Sequence, residues 1–225
     1  VHMILDSFRT INDMSGLISA GRRFMSKNSP ASPKLKREIK SIIAAAEQRR
    51  LDELSLAASG DEESGMEILL AFADRYKSSD LGERALLSAF VAARARGDIA
   101  QLYKLGEEAL KRFPKSEQSA GVLGTMGRTA AAQFDFARAI TYLERASKLQ
   151  PEQRTQLLIV SGKLREQLAD TKGAIRNYKM AISAAGQSPA RFDAVVQMAD
   201  LIERTSSPKA VLRALNPYAK PSNPE

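Results

Sequence analysis

The sequence predicts an all-α protein in which helical hairpins follow one another as a stacked α-solenoid. Similar strings recur at a spacing of about 35 residues, which is the period of two-helix repeat units. The three copies are Gly97-Asp98-Ile99 to Pro114, Phe134-Asp135-Phe136 to Pro151, and Ala169-Asp170-Thr171 to Ala181. No segment alternates apolar and polar residues as a half-buried strand does. Helices therefore account for all of the regular structure that we expect.

The composition of the 225-residue chain suits this architecture and excludes several kinds of chemistry. Hydrophobic residues make up 44% and charged residues 27%, which is enough apolar surface for a continuous core. The absence of cysteine excludes a disulfide framework, a thiolate metal site and a thiol nucleophile. The only histidine is His2, in a Val1-His2-Met3 start that we interpret as a cloning remnant. We expect no enzyme activity, no metal, no cofactor and no small-molecule substrate.

Residues 4–33 are predicted to form an amphipathic helix over 4–25 and a linker rich in serine and proline. The apolar stripe of this helix contains Ile4, Phe8, Ile11, Met14, Ile18 and Met25. Residues 4–37 are also basic, with seven Lys or Arg against two Asp. We expect the stripe to cap the end of the protein's own solenoid or to enter a second copy's groove, which would give self-association through residues 4–27. A membrane surface is the alternative partner.

From residue 34 onward, helical periodicity and turn residues mark each element in order. A long helix over 34–59 is expected to end at Gly60, with Asp61 capping a helix over 63–77 and Ser79 capping the next. The predicted hairpins that follow are 83–96 with 99–113, 118–133 with 136–149, 152–168 with 171–184, and a degenerate pair, 189–204 with 208–215. The solenoid is thus assigned to 34–217, and the proline-rich end, 218–225, to a tail.

These hairpins resemble the tetratricopeptide repeat (TPR), a family with characteristic bulky and small residues in helices A and B and a closing proline. The matching residues of the second copy are Leu123, Gly127, Ala139, Leu143, Ala146 and Pro151. Those of the third copy are Leu158, Gly162, Ala174, Tyr178 and Ala181, and those of the first are Leu86, Phe90, Leu102, Gly106, Ala109 and Pro114. The resemblance covers about 83–186 well and 34–82 and 187–217 loosely. It implies a right-handed solenoid.

In the TPR family, helix A side chains line a concave groove that receives a partner. The resemblance implies a groove lined here by Arg84, Leu87, Val91, Arg94, Gly124, Arg128, Ile159 and Lys163. A basic track through a partly apolar trough suits a protein segment with acidic and aliphatic residues. We therefore expect a non-catalytic scaffold or adaptor for protein–protein interaction, and the resemblance suggests a bacterial assembly or regulatory complex.

Two other functions stay open at this point. One is a peripheral membrane or envelope-assembly component that uses the N-terminal amphipathic helix. The other is a nucleic-acid-associated helical repeat, favoured by the net charge of +8 but not by any aromatic stacking motif. No apolar run approaches the ~20 residues of a membrane span. We expect a cytoplasmic protein if the chain is complete at its N-terminus, and a periplasmic or membrane-attached one if an upstream segment was removed.

Overall fold

A computed structural model describes residues 1–26, 32–59 and 63–218. These residues form twelve α-helices and one 3-10 turn, Asn216–Tyr218, and no β-strand lies among them. The helices are α1 (His2–Thr10), α2 (Met14–Phe24), α3 (Pro33–Ser59), α4 (Glu63–Arg75), α5 (Asp80–Ala95), α6 (Ile99–Arg112), α7 (Ser119–Ala132), α8 (Phe136–Leu149), α9 (Arg154–Gln167), α10 (Thr171–Ala185), α11 (Ala190–Thr205) and α12 (Pro208–Leu215). The predicted all-α, helical-repeat architecture is confirmed. None of these helices is long and apolar enough to span a bilayer.

The helices predicted for residues 34–215 are confirmed to within a few residues at each end. The predicted cap at Ser79 is also confirmed, because its hydroxyl accepts a hydrogen bond from the Gly82 N–H at 3.4 Å. The predicted helix end at Gly60 and the cap at Asp61 lie outside the described residues, as do 27–31 of the linker and 219–225 of the tail. The assignment of 34–217 to one solenoid stays a prediction.

The prediction of a single helix over 4–25 is wrong, because the chain reverses between α1 and α2. Asn12 adopts the left-handed conformation, with φ at 56°, and Asp13 caps α2 by accepting a hydrogen bond from the Gly16 N–H at 2.8 Å. Ile4 and Ile11 do not pack on the protein's own core, since they are 49% and 70% exposed. Of the predicted stripe, Met14 and Ile18 are buried and Phe8 is partly buried, and Leu5 and Leu17, which were not predicted, are buried beside them.

The same turn joins the two helices of four hairpins. In each, one residue has a positive φ and the next is an aspartate whose carboxylate accepts a hydrogen bond from the N–H three residues later. The pairs are Asn12-Asp13, Gly97-Asp98, Phe134-Asp135 and Ala169-Asp170. Each aspartate N–H also donates to the carbonyl five residues before it, which satisfies the end of the first helix. α1 and α2 are therefore a further hairpin of the same construction.

Backbone contacts divide the chain into two compact units, the first of which is Val1–Arg112. In this unit α2 packs on the N-terminal half of α3, where Met14, Leu17 and Ile18 meet Ile39 and Ile43. Part of the N-terminal stripe thus packs on the protein's own helices, while its role as a solenoid cap stays a prediction. The rest of α3 packs against α4 and α5, and α6 packs against α5.

Polar contacts fasten distant helices of the first unit to one another. The Arg22 guanidinium of α2 lies 2.7 Å from both Glu47 Oε1 and Tyr76 Oη, and Tyr76 Oη donates to Glu47 Oε1 at 2.9 Å. Burial and the hydrogen bond to Glu47 raise the pKa of Tyr76. Arg112, at the end of α6, donates to the Ala73 carbonyl at 2.8 Å. These contacts tie α2, α3 and α4 together at one end and α6 to α4.

The second unit begins at Phe113 and contains α7 to α12, each packed on the next along the chain. Its helices approach closely where glycine faces a large side chain. A Cβ atom added to Gly127 would lie 2.8 Å from Leu143 Cδ2, and one added to Gly162 would lie 2.5 Å from Tyr178 Cε1. All four residues are buried. The small and large positions expected within each hairpin are therefore in contact in these two.

Candidate functional site

In the first unit, the four predicted groove residues all lie on α5 (Asp80–Ala95). Arg84 is already engaged with α3, since it donates to the Gln48 side-chain oxygen and lies 3.8 Å from Asp52 Oδ1. Leu87 is half-buried, while Val91 and Arg94 are exposed. These residues leave an exposed apolar and basic strip on α5. Its role in partner binding stays a prediction.

In the second unit, the structure separates the predicted groove residues into two classes. Arg128 and Lys163 are exposed, and Arg128 donates to Thr125 Oγ1 at 3.3 Å. Gly124 is buried, and a Cβ atom added there would lie 3.3 Å from Arg128 Nη1. Ile159 is only 4% exposed and belongs to the core beneath α11, so its assignment to the groove surface is wrong. The reason is that α11 packs against α9 and covers this position.

The second unit also carries a cleft of about 550 Å³ that the sequence did not reveal. It runs along the outer face of α10 and reaches the first residue of α9. Four of its lining residues are cations, and the others are aliphatic or small. They are Arg154, Lys172, Arg176 and Lys179, with Ile175, Met180, Ser183 and Ala184.

The helical period of α10 explains this arrangement. Lys172, Arg176 and Lys179 follow one another at intervals of four and three residues, so they share one face of the helix. The opposite face is buried and contains Gly173, Ala174, Asn177, Tyr178, Ala181 and Ile182. Its packing on α9 and α11 fixes the helix. The cationic row is thus held outward by a rigid element.

The four cations of the cleft have no carboxylate within salt-bridge distance in the part of the chain that the structure describes. Asp170 is nearby in sequence, but its carboxylate accepts hydrogen bonds from the Gly173 N–H at 2.9 Å and from Arg165 at 2.6 Å. These two bonds lower the pKa of Asp170, the backbone bond having the larger effect. Its negative charge therefore serves mainly the turn and Arg165, with Arg176 as a weaker, more distant charge partner.

Other charged groups of the second unit are used internally. Arg165 contacts Glu144 at 2.8 Å, and the Asn177 side-chain amide donates to the same carboxylate oxygen at 2.7 Å. Glu166 accepts a hydrogen bond from Tyr178 Oη and pairs with Arg204 at 2.7 Å. Burial and the bond to Glu166 raise the pKa of Tyr178 well above its usual range. These cations are balanced by carboxylates, whereas the cleft carries a local excess of positive charge.

The cleft is lined by cationic groups and by no carboxylate or histidine. Its polar atoms are guanidinium and ammonium donors and the Ser183 hydroxyl, without a neighbouring base to activate that hydroxyl. Over the described residues, no three His, Asp or Glu side chains are grouped closely enough to hold a metal ion. The aliphatic residues Ile175, Met180 and Ala184 would face the apolar parts of a bound ligand.

A sequence signal for the cleft existed. Lys172, Arg176 and Lys179 recur at helical spacing on a helix whose remaining exposed positions carry no acid between them. The prediction followed helix A positions only, because the resemblance placed the partner there. The concavity itself depends on how α9 and α10 pack, which the spacing of residues does not give.

Among solved structures, 33 chains are similar to this one. No family model matches the chain, and no curated protein matches it. The crystal structure of BtubC (BKLC) from P. vanneervenii is similar over 96% of this chain and 94% of that chain, with 16% sequence identity and a TM-score of 0.46. A similarity at this level carries no information on function.

Proposed function

We propose that this protein is a non-catalytic interaction module that binds an acidic segment of a partner protein in the α10 cleft. The observation that carries the proposal is the set of four cations without carboxylate partners, arranged around aliphatic side chains in one concave site. Charge complementarity of this kind speeds association and excludes partners of the wrong sign. Aliphatic contacts with Ile175 and Met180 would add affinity by removing apolar surface from water.

The proposal includes a TPR-like, right-handed arrangement of the hairpins. It is supported by the burial of the family's signature positions and by the close contacts of Gly127 with Leu143 and of Gly162 with Tyr178. Repeat proteins of this class expose long surfaces that bind other macromolecules. An adaptor or scaffold is thus the function class that fits both the architecture and the cleft.

An acidic protein segment fits the cleft better than nucleic acid or a membrane surface. Nucleic-acid sites for single strands combine cations with exposed aromatic rings, and the cleft is lined by none. The membrane alternative needs the N-terminal apolar stripe, but Met14 and Ile18 are buried against α3. The predicted groove on helix A surfaces remains the competing location for the same kind of partner.

The experiment compares two double charge reversals within the second unit. A fluorescent 12-residue peptide of alternating Glu and Leu serves as the probe, and binding is measured by anisotropy. Because reversing two cations replaces attraction with repulsion, we expect R176E/K179E to weaken binding at least about tenfold. The matched control, R128E/K163E, makes the same change in charge on the predicted groove and should bind as wild type does.

Outcomes that differ from the expected one would contradict the proposed site. Loss of binding only in R128E/K163E would move the site to the helix A surfaces. Equal binding by all three proteins, or no binding by wild type, would remove the acidic-segment proposal. All four substituted side chains are exposed, and circular dichroism verifies that the variants keep wild-type helicity. A single-stranded oligonucleotide that displaced the peptide and bound more tightly would favour the nucleic-acid alternative.

A further inference from the structure

The first unit contains a groove of about 360 Å³ between α2 and α4. Both helices pack on α3, which forms the floor. On the α4 side the wall consists of Ile68, Ala71, Phe72, Arg75 and Tyr76, and on the α2 side of Ser15, Ile18 and Ser19. Within each wall, successive turns contribute residues three or four positions apart, such as Ser15 and Ile18 or Ile68 and Phe72, so each wall is one continuous helix face.

The groove is closed at one end and open at the other. The bond from Arg22 to Tyr76 Oη, 2.7 Å long, crosses from α2 to α4 and closes the end where Tyr76 lies. The opposite end is flanked by two exposed residues, Ser15 and Ile68. From Ile68 to Tyr76 the wall is about 12 Å long at 1.5 Å per residue. This length matches about two turns of a bound helix.

The lining combines an apolar base with basic edges. Leu54 of the floor and Ile18 of the α2 wall are buried, while Ile68 of the α4 wall leaves 47% of its surface exposed. Ser15 and Ser19 are small and exposed, which keeps the α2 wall low. The charged residues that line the groove are Arg50 and Arg75, and no carboxylate lines it. Arg75 has no ion pair among the described residues, while Arg50 lies 3.5 Å from Glu53 on its own helix.

We propose that this groove binds an amphipathic helix of a partner protein. The helix presents aliphatic side chains at positions i, i+3 or i+4, and i+7 to Ile18, Leu54 and Ile68, as in other helix-in-groove complexes. Acidic side chains on its flanks face Arg75, which has no ion pair among the described residues, and Arg50, which would share its charge between them and Glu53. The site lies within the first unit and does not depend on the α10 cleft.

The test is a selection from a displayed library of 18-residue helices whose core and flanking positions are varied. Wild-type protein is the bait, and the affinities of enriched helices are then measured by anisotropy. We expect enriched helices to carry aliphatic residues at the stated spacing with Asp or Glu beside them. Ile68→Arg, which places a charge in the groove, and Arg75→Glu should each weaken their binding at least about tenfold.

The control variant is Arg23→Glu, which makes the same charge change on α2 outside the groove lining. Binding by this variant should equal that of wild type. The proposal is overturned if no helix is enriched, if the enriched helices carry basic flanks, or if they bind I68R and R75E as tightly as wild type. Arg75 is exposed, so R75E alone decides the matter if I68R fails to fold.

Discussion

The α7–α8 and α9–α10 hairpins place a small residue on the first helix and a large one on the second, and the α5–α6 hairpin reverses this order. Gly127 and Gly162 on the first helices accept Leu143 and Tyr178 from the second helices. In α5 and α6 the large residue is Phe90 and the small one is Gly106, and both are buried. A hairpin needs one small partner for its helices to approach closely, and either helix can supply it. We therefore expect Gly106 to offset the replacement of glycine by Phe90 in this hairpin.

The close contact at Gly162 predicts a marked loss of stability for Gly162→Ala. The new Cβ atom would lie 2.5 Å from the Tyr178 ring, which is buried and cannot move freely. We expect the free energy of unfolding to fall by about 1–3 kcal/mol, the usual cost of overpacking. Urea unfolding followed by circular dichroism measures the change.

Gly121→Ala is the matched control, because a Cβ atom there meets no atom within 4 Å. Alanine also has a higher helix propensity than glycine, by about 1 kcal/mol in a helix interior. This variant should therefore be at least as stable as wild type. Equal destabilisation by the two substitutions would contradict the role given to Gly162.

At the scale of elements, the turn between the two helices of a hairpin is the most regular feature of the chain. A left-handed residue followed by a capping aspartate occurs in four hairpins and satisfies backbone groups on both sides of the turn. In three of them the aspartates were part of the recurring strings in the sequence, so the turns could be placed in advance. The Asn12-Asp13 turn was missed because Ile4, Phe8, Ile11 and Met14 keep one helical spacing across it.

The turn at Asp170 predicts a pH-dependent contribution to stability. Its pKa is lowered from the ordinary 3.8 by the Gly173 N–H and by Arg165. A lowered folded-state pKa stabilises the protein above the ordinary pKa, and this stability is lost as pH falls through the lower folded-state value. We expect Asp170→Ala to lower the free energy of unfolding at pH 7 by about 1 kcal/mol, which is the usual contribution of a helix cap.

The difference in free energy of unfolding between wild type and D170A should become smaller once the pH falls below about 4. Asp170→Asn retains an acceptor for the Gly173 N–H but loses the charge that faces Arg165. Its free energy of unfolding should therefore fall less than that of D170A. Denaturant unfolding of the three proteins between pH 7 and pH 2 gives these values. If the difference in free energy of unfolding between wild type and D170A stays constant over this range, the carboxylate charge contributes nothing to stability.

At the scale of the whole molecule, the helices could be predicted more completely than the site. Period, aspartate caps and prolines placed ten helices from 33 to 215, because these signals act over a few residues. The exposure of side chains depends on which helices pack together. Ile159 was assigned to the surface from its place on helix A, yet α11 covers it. The α10 cleft escaped prediction for the same reason, although its cationic row was visible in the sequence.

The cations without ion pairs do not lie where the sequence is most basic. The densest basic segment is the N-terminal one, but there Arg22 is committed to Glu47 and Tyr76. In the second unit, arginines such as Arg165 and Arg204 are paired with carboxylates, whereas the four cations of the cleft are not. The absence of local ion pairs, rather than the net charge, therefore marks the surface on which we expect an acidic partner to bind most tightly.

The measurement that tests this account most directly is an NMR titration of the ¹⁵N-labelled protein with the Glu/Leu peptide. The account predicts that the largest and saturable shift changes fall on the backbone amides of α10 from Lys172 to Ala184 and on Arg154. Added salt should reduce them, since exposed charges are screened. Saturable changes centred on Arg128 and Lys163, with α10 unaffected, would contradict the account.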